Sequence, residues 1–249
     1  MSSKHTKYLA WDSEFFGRKM ASVALPSDAA TAEADLERAV NESIGNGIEC
    51  LTLVLDSADQ PAVFEAARLG FALVDVRITL KAELKVTSTA YPVVVRPSRP
   101  SDRATVEKLA LTSFSTTRFA VDPHFPKARV SEMYRVWVSK NLEGPSKLTL
   151  VATDKDAVAG FISCGVTSPD VANIELLAVG AGMRGKGVGS ALVQGMMKHY
   201  AAEGKREVHV VTQARNIKGM TFYESAGFKV GRVELSFHKW FENKSRAAA

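Results

Sequence analysis

Arg184-Gly185-Lys186-Gly187-Val188-Gly189 separates an apolar, strand-like stretch, Asn173 to Val179, from a helical pattern, Val188 to Ala202. Glycines leave the backbone bare, so successive N–H groups from Arg184 to Ser190 can point into one concavity at the positive end of a helix. Such a concavity suits a pyrophosphate. The two commoner phosphate loops fit less well. A Walker loop needs Gly-x-x-x-x-Gly-Lys-Ser/Thr, and the dinucleotide fingerprint needs Gly-x-Gly-x-x-Gly with an acidic residue about 20 positions on. The first does not occur, since Gly187 follows Gly185-Lys186 where Ser or Thr is needed; Gly180-Ala181-Gly182-Met183-Arg184-Gly185 has the glycine spacing of the second but does not open a helix, because the helical pattern starts only at Val188.

Downstream lie a strand pattern, Glu207 to Gln213, then Asn216 opening a short helix that holds Tyr223, then Gly227-Phe228 and a last strand to about Trp240. The ordered set Leu177-Ala178-Val179, Arg184-x-x-Gly187-x-Gly189, Asn216, Tyr223 and Gly227-Phe228 resembles the GCN5-related N-acetyltransferase (GNAT) superfamily over roughly Val93 to Trp240. The resemblance implies an α/β GNAT fold, a mixed, mostly antiparallel sheet flanked by helices, with acetyl-CoA or another acyl-CoA as co-substrate. Trp11-Asp12-Ser13-Glu14-Phe15-Phe16-Gly17, Leu69-Gly70-Phe71-x-Leu73-Val74-Asp75 and Arg118-Phe119-x-x-Asp122-Pro123 narrow it further. These segments are similar to the dTDP-fucosamine acetyltransferases and related nucleotide-sugar N-acyltransferases. That similarity implies a dTDP-amino sugar as acceptor, a role in surface polysaccharide (O-antigen type) biosynthesis, and a homodimer.

Composition is compatible with this and otherwise bland. The chain has 249 residues, 46% of them hydrophobic, enough for a substantial core. The net charge of +5 comes from Lys and Arg spread along the sequence, which suits an anionic small ligand and gives no indication of nucleic acid. No apolar stretch reaches membrane-span length, and the first 30 residues lack the apolar centre of a signal peptide, so a cytoplasmic enzyme is expected. Cys50 and Cys164 sit in apolar strand patterns and read as buried small hydrophobes. The five histidines show no ligand spacing, and no metal is assigned.

The organisation resembles a duplication. At an offset of 157 (209 minus 52), Thr52 to Phe71 falls beside His209 to Phe228, each reading strand, cap, short helix, Gly-Phe. Asp59 lies opposite Asn216, while Ala66 stands opposite Tyr223 and the first copy has no Arg-x-x-Gly-x-Gly loop. Residues 1–88 are therefore expected to form a truncated GNAT-like domain, and residues 89–249 the catalytic GNAT domain with the acyl-CoA site. Ser101-Asp102 reads as the cap of a helix through about Phe114, and a second helix near Lys127 to Leu142 places Val130, Met133, Tyr134, Trp137 and Val138 on one face.

The resemblance also assigns roles. Backbone amides of Arg184, Gly185, Lys186, Gly187, Val188, Gly189 and Ser190 would take the coenzyme pyrophosphate. The strand edge at Leu177, Ala178 and Val179 would take its pantetheine, and Asn216 would both cap its helix and touch the coenzyme. Tyr223 matches the superfamily's acid, a proton donor for the departing thiolate. The amine needs a base, for which Asp75 and Glu175 are candidates, Asp75 being preferred; Glu175 is expected to share the cleft of Leu177. Arg118 could fork onto the sugar nucleotide's diphosphate, with Asp122 beside it as its alternative partner, and Phe119 or Phe125 could stack on thymine. The expected activity is transfer of an acyl group, acetyl first, to a dTDP-linked 4-amino-4,6-dideoxyhexose. A 3-amino sugar, a longer acyl chain, a peptide or other small amine, and a non-catalytic coenzyme sensor are the alternatives.

Overall fold

The computed structural model describes residues 5–24, 32–144 and 147–241. The first elements are β1 (Thr6–Tyr8), α1 (Ala10–Phe16), β2 (Met20–Val23), α2 (Ala32–Gly45), β3 (Cys50–Asp56), α3 (Gln60–Arg68) and β4 (Ala72–Glu83). Next come β5 (Val94–Pro97), α4 (Arg103–Ser113), α5 (Arg118–Val121), α6 (Lys127–Glu143), β6 (Leu148–Asp154) and β7 (Ala157–Ser168). The chain finishes with β8 (Val171–Val179), α7 (Val188–Ala202), β9 (Glu207–Gln213), α8 (Ile217–Ser225) and β10 (Lys229–Trp240).

Two compact units result, residues 1–77 with 232–249, and residues 78–231. This division differs from the single boundary expected at residue 88, because the chain changes unit inside β4 and again inside β10. Strand pairing is the reason. β10 runs antiparallel to β3 from Glu234↔Asp56 to Trp240↔Cys50. β4 instead neighbours β9, and just past it Leu84 N donates to Arg206 O at 2.9 Å. Each unit is thus closed by a strand that follows the other unit's last helix.

In the first unit β1 pairs antiparallel with β2, and β2 parallel with β3. Alternation along β3 sends Leu51, Leu53 and Leu55 to one side, where they meet Leu36 and Val40 of α2, Ala62 and Ala66 of α3, and Phe237 of β10. Asp59 caps α3 by accepting from Ala62 N at 3.3 Å. The bounds of β3, α3 and β4 recur as those of β9, α8 and β10 at a constant displacement of 157 (207 minus 50).

In the second unit the strand order is β4-β9-β8-β7-β6-β5. The pairs β5–β6, β6–β7 and β7–β8 are antiparallel and β8–β9 is parallel. α7 buries Leu192, Val193, Met196 and Met197, and α6 buries Val130, Met133, Tyr134 and Val138, the face its spacing predicts.

The expected cap at Asp102 takes a different form. Its carboxylate makes no capping bond into α4. It reaches back to accept from Arg96 Nη1 at 2.7 Å and Nη2 at 2.9 Å, and from Arg99 N at 2.7 Å. The Arg96 guanidinium is the main reason this carboxyl lies below its ordinary value of 3.8. A depressed carboxylate contributes stability that is present above its unfolded pKa and lost as pH falls through the folded value. Asp102→Asn should therefore cost about 2 kcal/mol at neutral pH, the scale of a charged hydrogen-bond pair. In urea titrations the gap to wild type should close below pH 3.8.

Candidate active site

Pairing between β8 and β9 is confined to Val171–Ile174 against Glu207–Val210. On the other side of β8 the register slips at the same place: Ser163 faces Leu176 and Cys164 faces Ile174, leaving Glu175 as an extra residue, a β-bulge. Beyond the bulge β8 runs along a cleft of about 520 Å³. Leu177, Ala178, Val179, Arg184, Gly185, Gly187, Val188, Gly189, Ser190, Asn216 and Tyr223 line it, so one concavity gathers nearly all the residues that the sequence assigns to the coenzyme. Lys186 is not among the lining residues. Ser113, Met183, Lys218, Gly219 and Phe222 are, and none of them was foreseen. For Lys218, Gly219 and Phe222 a signal existed, because all three share one short helix with Tyr223.

Backbone geometry explains the loop. Gly185 and Gly187 adopt φ of 75° and 78°, where a side chain would cost about 1–2 kcal/mol. Gly187 is the N-cap of α7, and the first helical amide to find a backbone acceptor is Ala191 N, 2.9 Å from Gly187 O. The amides of Val188, Gly189 and Ser190 therefore precede the helix's own ladder and form its positive end. Arg184 Nε donates to Val179 O at 3.1 Å, tying the loop to the end of β8. At the opposite wall Asn216 Oδ1 accepts from Gly219 N at 3.2 Å, and Asn216 Nδ2 donates to Thr212 Oγ1 at 3.0 Å.

Tyr223 is 7% exposed. Its ring packs between Phe222 and Phe228, with centroids 5.1 and 5.3 Å away. Burial pushes the phenol above its ordinary value of 10.0. At neutral pH it is a protonated donor. The cleft thus combines the amides at the positive end of α7, a strand edge without a neighbouring strand, and a buried phenol.

The remaining expected residues of the second unit are not among those that line this cleft. Glu175 lies in a different cavity with Trp137, Lys140, Asn141, Lys147 and Leu176, so alternation with Leu177 misplaces it. Its carboxylate accepts from Lys147 Nζ and, at 2.9 Å, from Asn141 Nδ2. Asp75 belongs to the first unit, where it is 2% exposed in β4. Phe119 and Phe125 are 2% and 3% exposed and meet edge to face at 5.2 Å, which leaves neither a free face for thymine. The Arg118 guanidinium sits 4.4 Å from the Phe119 ring centroid. Asp122 accepts from His124 N at 3.0 Å and lies 2.7 Å from His124 Nδ1. The segment is thus organised around its own core, a feature that a run of residue types does not reveal. Among the described residues no cluster of potential metal ligands occurs, and no helix is long and apolar enough to cross a membrane.

Residues 113–228 match the model of the acetyltransferase (GNAT) family, a span containing the turn, Asn216 and Tyr223. The chain carries a GNAT domain. The dTDP-fucosamine acetyltransferase of Escherichia coli O6:H1 is 27% identical to this chain over 225 residues, 89% of this chain and 92% of that one. The spore coat polysaccharide biosynthesis protein SpsD of Bacillus subtilis is 28% identical over 144 residues, 58% of this chain, which spans 50% of that protein's length. A GCN5-related N-acetyltransferase from Sphaerobacter thermophilus superposes with a TM-score of 0.67 over 94% of this chain and 76% of its own, at 16% identity. The fold is therefore the expected GNAT α/β arrangement, a mixed sheet flanked by helices.

Proposed function

We propose that this protein transfers an acetyl group from acetyl-CoA to the amine of a dTDP-linked 4-amino-4,6-dideoxyhexose during surface polysaccharide synthesis. The observation that carries the proposal is the relative matched nearly end to end, the dTDP-fucosamine acetyltransferase. The cleft supports the donor half. Its size, its glycine-rich cradle and the unpaired edge of β8 suit a pyrophosphate followed by an extended pantetheine. Amides of Val188, Gly189 and Ser190 would neutralise the pyrophosphate, and backbone groups of Leu177 to Val179 would hold the pantetheine as a neighbouring strand is held. An amide of that edge would stabilise the oxygen of the thioester carbonyl as the amine adds. Tyr223 would then give its phenolic proton to the departing sulfur.

The general base is proposed on resemblance alone, as Asp75. Asp75→Asn should flatten the acid limb of the pH–rate profile, and an unchanged rate and profile would dismiss that role. The first unit we read as a truncated copy of the same fold, supported by the recurrence at 157 residues (207 minus 50). A thiol-release assay with acetyl-CoA and a panel of dTDP-3-amino- and dTDP-4-amino-dideoxyhexoses, with products weighed by mass spectrometry, tests the activity. Acetylation of a 4-amino sugar is the expected result. Coenzyme binding without turnover of any sugar would sink the nucleotide-sugar reading and leave the fold standing.

A further inference from the structure

Glu175 is the extra residue of the β8 bulge, and the bulge follows directly on the last β8–β9 pair, Ile174↔Val210. Inserting a residue into one strand disrupts the ladder locally, which leaves the extra residue to be held by contacts from outside the strand. Here the hold is visible. Glu175 accepts from Lys147 Nζ through one carboxylate oxygen and from Asn141 Nδ2, at 2.9 Å, through the other. Asn141 also donates to Ser163 Oγ at 2.8 Å, and Ser163 is the wholly buried β7 residue at the register slip. α6 and the approach to β6 thus hold the Glu175 carboxylate, and Asn141 ties that contact to β7.

The floor beneath this group is shaped for it. A Cβ at Gly165 would lie 2.9 Å from both Glu175 Oε1 and Lys147 Nζ, so the ion pair occupies the space that any other residue would fill.

We propose that Lys147 and Asn141 clamp Glu175 and so fix the bulge that frees the β8 edge for the coenzyme, making Glu175 a positioning residue and not the base. The proposal rests on reading the cleft as the acyl-CoA site. Both carboxylate oxygens already accept a hydrogen bond, and a proton taken from the substrate amine would discharge the ion pair with Lys147 that holds the strand. A clamp and a base predict different kinetics. A loosened clamp weakens coenzyme binding, whereas a lost base lowers turnover and alters its dependence on pH.

The experiment uses the full-length chain and Glu175→Ala, Lys147→Met and Glu175→Gln. Coenzyme A titration calorimetry, amide hydrogen exchange without ligand, and pH–rate profiles are measured together. Glu175→Ala and Lys147→Met should each raise the coenzyme A Kd and the acetyl-CoA KM about tenfold, the scale of one lost charged hydrogen bond. Both should speed exchange across residues 174–179 while keeping the wild-type pH profile. Glu175→Gln, which retains the shape and an acceptor, should restore most of the affinity. A fall in kcat of about a hundredfold in Glu175→Gln with unchanged Kd would overturn the clamp and make Glu175 a base. So would unchanged exchange in Lys147→Met, the variant that leaves the bulge residue itself intact. Failure of wild type to bind coenzyme A, with exchange still responding, would remove the coenzyme reading and keep the clamp.

Discussion

Tyr223→Phe should lower kcat for acetyl transfer by about 10²- to 10³-fold and leave the Kd for coenzyme A within about twofold of wild type. The substitution removes one oxygen and keeps the ring, so the contacts with Phe222 and Phe228 at 5.1 and 5.3 Å survive. Fold and cleft are preserved, and only the proton donor goes. A thiolate can still leave by taking a proton from water, which sets a floor to the loss. The same reading fixes the sign of the pH dependence. A general acid acts while protonated, and burial raises this phenol above 10.0, so the alkaline limb that belongs to Tyr223 should lie above pH 10.0 and vanish in the phenylalanine variant. Stopped-flow thiol release against pH measures both quantities. Full turnover in Tyr223→Phe would reassign the residue to packing.

A chain ending at Gly231 should lose its first unit altogether. The cut removes β10 residues that pair with β3 from Asp56 to Cys50. It also removes Val233 O, which accepts from Ser57 N at 3.1 Å. Phe237, 4% exposed in the cluster with Leu51, Leu53 and Leu55, goes with them. Loss of that ring alone would cost about 3–5 kcal/mol, judged by buried Phe→Ala changes. Adding a stripped ladder and an exposed leucine row brings the total against the roughly 5–15 kcal/mol by which a whole domain is stable. Limited proteolysis read by mass spectrometry should show cleavage throughout residues 5–77, with the far-UV circular dichroism reduced. Protection of that region in the shortened chain would mean that β10 is dispensable. Phe237→Ala in the full chain provides the graded comparison, a lowered melting temperature without collapse.

Much of the second unit was legible because its signals are local. The bounds of α7 and β9 agree with the sequence pattern to the residue. Asn216 caps α8 as its position implies, and the glycine turn adopts the left-handed φ values that bare backbone permits. What stayed hidden depends on partners distant in the chain. Periodicity identifies β4 and β10 as strands, but choosing β9 or β3 as neighbour involves residues more than a hundred positions away. The Glu175 side chain was misplaced for a similar reason. Strict alternation puts it beside Leu177, and one inserted residue, fixed by Asn141 and Lys147, sends it into another cavity. Aromatic residues at 119 and 125 were read by what rings can do in isolation, whereas packing had committed each to the other.

The crossing of β4 and β10 between units has a consequence for inheritance. A lineage in which the first unit no longer bound coenzyme could not discard it by deletion, because the same stretch encodes the strand beside β9. Nor could a fragment carrying only residues 78–231 be transplanted as a cassette without cutting through β4 and β10. On the proposed reading of the first unit as a truncated copy, Ala66 opposite Tyr223 is the kind of single-residue change such a gene can accept, while its length is held by β4 and β10.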